Sequence, residues 1–98
     1  MIASFRDRET EGLWRSGKCR RIPANLQVRA FKKLAILNAT VKLDNLKVPP
    51  GNHLEALVGD RAGQHSIRVN DQYRVCFVWR YGNAFDVEIV DYHQEQGR

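Results

Sequence analysis

From Gln64 to Tyr92 apolar and polar residues alternate in three short runs, separated by turn-forming residues. Ile67 and Val69 alternate with polar neighbours in the first run, Val75, Phe77 and Trp79 in the second, and Phe85, Val87 and Ile89 in the third. Successive side chains of a strand point to opposite faces, so period-two runs of this kind bury one face only. Runs at Gln64 to Val69, Tyr73 to Arg80 and Phe85 to Tyr92, joined by tight turns, predict antiparallel strands with one apolar face packed on a core. The other face carries Ser66, Arg68, Arg74, Cys76, Val78, Arg80, Asp86, Glu88, Val90 and Tyr92.

The same alternation sets the register. A two-residue turn at Asn70-Asp71 would place Ile67 opposite Arg74 and mix the faces. A three-residue turn, Asn70-Asp71-Gln72, places Ile67 opposite Val75 and Arg68 opposite Arg74. By the same test the next turn is Tyr81-Gly82-Asn83, which brings Arg74 near Val90 with Glu88 diagonal to it. Two facing arginines are destabilising unless neutralised. Glu88 can supply a structural ion pair, which is the expected arrangement. A bound phosphate can also do so, because Arg contacts phosphate through two N–H groups at once.

Upstream the period changes. Ile2 to Phe5 suits a short strand, and Ser4-Phe5-Arg6-Asp7 fits a capping box that opens a helix near Asp7 to Arg15, ended by Ser16-Gly17. A second helix is expected from Pro23 to Asn38. Leu26, Ala30, Leu34 and Leu37 form its apolar stripe, widened by Phe31 and Ala35, while Arg29, Lys32 and Lys33 lie opposite. That basic stripe is either a solvated face or a docking surface for acidic protein or phosphate. A helical turn near Val41 to Leu46, a stop at Pro49-Pro50-Gly51-Asn52 and a strand from His53 to Val58 complete the reading.

With 98 residues the chain has room for one domain, residues 1–98, whose last five residues, 94–98, read as a polar tail. Hydrophobic residues at 43% support one modest core, a sheet with a layer of helix. No apolar run approaches the roughly 18 residues of a membrane span, and the start Met1-Ile2-Ala3-Ser4-Phe5-Arg6-Asp7 lacks a signal-peptide core. Two cysteines without a CxxC suggest neither a metal knuckle nor a disulfide framework, and a cytoplasmic protein is expected. Residues 1–50 hold 11 basic and 4 acidic residues, a net of +7, whereas residues 51–98 hold 5 and 7, a net of −2. A basic field of this kind suits a polyanion or an acidic partner. Cys19 sits in the basic loop Lys18 to Arg21, where its pKa could be lowered, although catalysis would need a paired His. Cys76 reads as a small buried residue.

P-loop, GxGxxG, GxSxG and HExxH motifs are absent, and no cofactor or metal site is expected. Hydrolysis at such a site would be metal-independent. His93 ends the last strand beside the two-arginine face and has a proton-transfer pKa range, although single histidines are more often bystanders. His53 and His65 lack that company and read as structural. Arg, Tyr and His without a metal suit RNA, whose 2′-hydroxyl is an internal nucleophile.

The start Met1 to Phe5, the segment Leu57-Val58-Gly59-Asp60-Arg61-Ala62-Gly63-Gln64-His65-Ser66-Ile67-Arg68-Val69-Asn70-Asp71-Gln72-Tyr73-Arg74 and the ending Asp91-Tyr92-His93 resemble the HigB toxins of the RelE/ParE superfamily, with the GraT-like branch a particularly close likeness. The resemblance implies an α+β domain of order β-α-α-β-β-β-β, two N-terminal helices on a curved, mainly antiparallel sheet. It implies a ribosome-dependent messenger RNA endonuclease, a HigA-like helix-turn-helix antitoxin, and operator DNA bound only through the toxin–antitoxin complex. By matching motif it gives Arg74, Asp91, Tyr92 and His93 catalytic roles; Arg61 and Arg68 are added as RNA contacts from position and charge. Several HigB toxins carry a catalytic lysine where this chain has Val58, so charge stabilisation falls to Arg61, Arg68 or Arg74, or the activity is weaker. Rival functions are a ParE-like gyrase poison of the same fold, and a non-enzymatic RNA- or protein-binding module.

Overall fold

The computed structural model describes residues 1–92. His93 and the polar tail therefore lie outside the described residues. Two helices, α1 (Arg8–Ser16) and α2 (Ala24–Ala39), precede a four-stranded antiparallel sheet in sequential order, β1 (Glu55–Ala56), β2 (His65–Arg68), β3 (Tyr73–Arg80) and β4 (Asn83–Asp91). Short 3-10 turns at Leu43–Lys47, Pro50–Asn52 and Gly59–Arg61 fill the connections. Among the described residues no helix is long and apolar enough to cross a membrane.

The helices cover one sheet face. Leu13 of α1 and Ala30, Leu34 and Leu37 of α2 are buried against Ile67, Val75, Phe77, Val87 and Ile89. Burying each of the leucine, isoleucine, valine and phenylalanine side chains among them contributes roughly 1.5–3 kcal/mol. Two polar groups tie α1 and its loop to β4. The buried Thr10 Oγ1 accepts the Ile89 amide at 2.9 Å, and Arg21 Nη2 donates to the Ile89 carbonyl at 2.7 Å. Phe31, expected to widen the buried stripe of α2, is instead exposed at its edge and stacks on Trp14, ring centroids 5.3 Å apart.

The β2–β3 register is the one read from alternation, with Ile67 opposite Val75 and Arg68 opposite Arg74. Asn70 holds the three-residue turn, its Oδ1 accepting the amides of Gln72 and Tyr73 at 2.9 and 2.7 Å. The β3–β4 hairpin differs at its tip. Arg80 pairs with Asn83, so the turn is the two-residue Tyr81-Gly82, both at positive φ. That turn alone would put apolar and polar residues on the wrong faces. A bulge restores the phase: Phe77 of β3 opposes two residues of β4, Asp86 and Val87, with Asp86 at φ 52°, and Arg74 still faces Val90. Beyond the bulge, toward the tip, β4 exchanges its faces while β3 keeps Trp79 against the core: Ala84 is buried in the core, and Phe85 lies under the Arg80 guanidinium at 5.0 Å.

The bulge also explains the N-terminus. Ile2 and Phe5 form isolated parallel bridges to Ala84 and Val87, one on each side of it, in place of a continuous strand. Ser4 Oγ accepts the Asp86 amide at 2.8 Å. Ser4 is therefore committed to the bulge; Asp7 is the residue at the N-cap of α1, and no side-chain hydrogen bond caps that helix. The expected strand from His53 to Val58 shrinks to Glu55–Ala56, because His53 is in the left-handed region at φ 45° and a 3-10 turn follows Val58.

Candidate active-site cleft

The sheet face turned away from the helices holds a second, smaller apolar cluster of Leu57, Cys76 and Val90, with Tyr92 against it. Beside this floor lies an open cleft of about 250 Å³ lined by His53, Glu55, Arg68, Asn70, Asp71, Arg74 and Tyr92. Three residues singled out from the sequence, Arg68, Arg74 and Tyr92, thus meet in one place.

Arg74 is the fixed element of the cleft. Its side chain is 10% exposed. Its Nε donates to the buried Ser66 Oγ at 2.8 Å, its Nη2 donates to the His53 carbonyl, and its Nη1 lies 3.1 Å from Glu55 Oε1. The guanidinium also lies over the Tyr92 ring, 5.3 Å from its centroid. Ser66 of β2 pairs with Glu55 on one side and with Cys76 on the other, so the Arg74 side chain, starting on β3, reaches diagonally across Ser66 to the edge strand.

The two facing arginines are neutralised, but not by Glu88. Arg68 bonds Asp71 from the β2–β3 turn, and Arg74 pairs with Glu55 from β1. Glu88 is taken by Arg61 at 2.8 Å and approached by Arg6 at 3.7 Å. Arg61 also donates to Gln64 Oε1 at 3.0 Å and is not among the residues lining the cleft. The loop that follows β1 brings Arg61 back over the sheet, where it pairs with the carboxylate opposite Cys76.

Asp91 and Tyr92 lie on opposite sides of the sheet. Asp91 pairs with Tyr73, whose side chain belongs to the helix-side core, and alternation turns Asp91 to that side. Its Oδ2 accepts Gln72 Nε2 at 2.9 Å, and the Tyr92 amide donates to the Gln72 carbonyl at 2.7 Å. Gln72 therefore fixes the end of β4 from the turn before β3. Val58 is 84% exposed and does not line the cleft.

Among the cleft residues, His53 and Glu55 were not expected there. A search for the carboxylate demanded by the Arg68–Arg74 pair could have raised Glu55, but only with the β1–β2 register known. The basic stripe of α2 is also divided. Arg29 and Lys32 are exposed, whereas Lys33 Nζ donates to the buried Asn52 Oδ1 at 2.6 Å, and desolvation, with the nearby Arg29 charge, lowers its pKa. The basic loop does not activate Cys19. Burial pushes that thiol's pKa up, and Glu9 Oε1 lies 3.5 Å from its Sγ. The carboxyl of Glu9 is correspondingly held below its ordinary range, chiefly by that thiol contact.

A family model described as the RelE-like toxin HigB of type II toxin–antitoxin systems matches residues 3–93. The chain is 40% identical to Toxin HigB-1 of Vibrio cholerae over 87 residues, which cover 88% of this chain and 92% of that protein. It is also 40% identical to an uncharacterized protein of Haemophilus influenzae over 63 residues, 64% of this chain and 60% of that one.

Proposed function

The chain belongs to the HigB-like family of RelE-type toxins of type II toxin–antitoxin systems, and from that premise we propose that it is a ribosome-dependent endoribonuclease that cuts messenger RNA in the cytoplasm. A HigA-like helix-turn-helix antitoxin neutralises it, and the pair binds operator DNA through the antitoxin. The observation that supports this reading best is the cleft, where two arginines, a tyrosine and a histidine converge on the sheet face opposite the helices.

The chemistry needs three things of the protein. A base takes the proton of a 2′-hydroxyl, whose oxygen attacks the adjacent phosphorus. Charge grows on the non-bridging oxygens, and a group that donates through a rigid fork stabilises it best. An acid then protonates the departing 5′-oxygen, leaving a 2′,3′-cyclic phosphate and a 5′-hydroxyl. Arg74 stabilises that charge, with Arg68 beside it. His53 and His93 are the acid–base pair, His93 following Tyr92 directly in the chain. Tyr92 packs over Arg74 and orients the RNA. Asp91 acts through Gln72 by holding the end of β4 in place, and Arg61 contacts RNA outside the cleft. None of these steps uses a metal.

Cell-free translation with mapping of messenger 3′-ends tests the proposal. Messenger cut within its reading frame supports it. Intact messenger together with gyrase-dependent DNA cleavage means a ParE-like gyrase poison, and neither effect means a binding module.

A further inference from the structure

The Arg74 guanidinium is held by four partners of unequal permanence. Ser66 Oγ and the His53 carbonyl are built into the fold, and the Tyr92 ring packs over the plane. The fourth, Glu55, is different. It stands on a two-residue strand at the sheet edge, and its side chain is 49% exposed, against 10% for Arg74. The guanidinium edge carrying Nη1, 3.1 Å from the Glu55 carboxylate, is therefore the edge open to exchange. Asp71, on Arg68, has the same character, being 95% exposed. A carboxylate offers a guanidinium the same planar pair of acceptor oxygens as a phosphodiester.

We infer that Glu55 is a built-in competitor for substrate phosphate, a counter-ion that the phosphodiester must displace from Arg74 and whose charge sets how strongly the cleft takes RNA. This rests on the reading of the cleft as the RNA site. Without substrate, Glu55 keeps Arg74 paired, and the facing arginines do not repel one another unscreened. When a phosphodiester arrives, the exposed carboxylate swings to solvent, while Ser66 and His53 hold the guanidinium in place. Exposed ion pairs are weak, so the exchange is feasible, and its cost is subtracted from RNA affinity.

Glu55→Gln is the test. Glutamine keeps the length of the side chain and an oxygen that can accept from Nη1, but removes the competing charge. Binding is measured by fluorescence anisotropy with a short, labelled, fully 2′-O-methyl RNA, which cannot be cut, at low salt. Glu55→Gln is expected to bind roughly threefold to tenfold more tightly, the scale of an exposed ion pair plus the removed repulsion. Arg74→Gln is expected to abolish binding, and the double variant to show no gain over Arg74→Gln. Each variant is first shown to be folded and monodisperse, so that a gain in anisotropy reports the native cleft and not non-specific binding of a basic unfolded chain. Unchanged or weaker binding by Glu55→Gln, while Arg74→Gln still loses it, overturns the competitor role and leaves the RNA site standing. Full binding by Arg74→Gln overturns both.

Discussion

Replacing Arg74 should damage stability and activity by separable amounts. Its guanidinium bonds the fully buried Ser66 hydroxyl and the His53 carbonyl, pairs with half-exposed Glu55 and packs over Tyr92. Arg74→Ala leaves the Ser66 hydroxyl without its donor, at a cost of about 1–3 kcal/mol. Loss of the ring contact costs about 0.5–1 kcal/mol, and the Glu55 pair adds little because it is screened. The total, about 1.5–4 kcal/mol, leaves a domain of ordinary stability folded but lowers its melting temperature by roughly 6–30 °C. Although Arg74 stands on the polar sheet face, its burial against Ser66 ties it to the fold. Arg74→Lys keeps the charge but cannot reach three partners in three directions with one ammonium. It should lose less stability than Arg74→Ala, yet still lose about 10²-fold or more in messenger cleavage, because the fork serves the developing charge. Urea unfolding gives the first quantity, and cleavage in cell-free translation, normalised to folded protein, gives the second. Arg74→Lys with wild-type cleavage, or Arg74→Ala with wild-type stability, would refute the reasoning.

Other consequences can be checked as directly. His53→Gln should leave RNA binding intact and slow cleavage by roughly 10²–10⁴-fold, the usual worth of positioned proton transfer, as measured in single-turnover cleavage. Cleavage should persist in a chelator that spares the ribosome and should leave a cyclic or 3′-phosphate end; a 3′-hydroxyl end read by ligation assay would contradict the mechanism. Thr10→Val should cost about 1–2 kcal/mol in urea unfolding, because the buried Ile89 amide loses its acceptor. Cys19 is 4% exposed and its thiol is pushed up by burial, so the native protein should resist iodoacetamide at mildly alkaline pH. An unfolded thiol ionises near ~8.5. The folded state binds that proton more tightly, so this contribution to stability is complete below that pH and is lost as pH rises through the folded value.

The elements whose pattern is local could be read from the chain. Period-two alternation placed three strands and the Arg68–Arg74 pairing, since a slip of one residue would have turned Ile67 and Val75 out of the core. The 3.6-residue stripe of Ala30, Leu34 and Leu37 placed α2. The α+β class followed from those two periods. Asn70 and the glycines could only suggest where turns fall. The tip of β3–β4 escaped because two arrangements keep the core apolar, a three-residue turn or a two-residue turn with a bulge. The choice went to the bulge, whose Asp86 amide meets Ser4 Oγ, a partner 82 residues away. The site divided in the same way. Tyr92 on the cleft side and Asp91 on the other is a matter of alternation, and was present in the sequence once Tyr73 and Asp91 were known to pair. Which carboxylate neutralises which arginine was not, because Glu55, Asp71 and Glu88 are chemically equivalent along the chain. Only the folded edge strand, which sets Glu55 beside Ser66 and carries His53 to Arg74, distinguishes them by distance and by exposure to water.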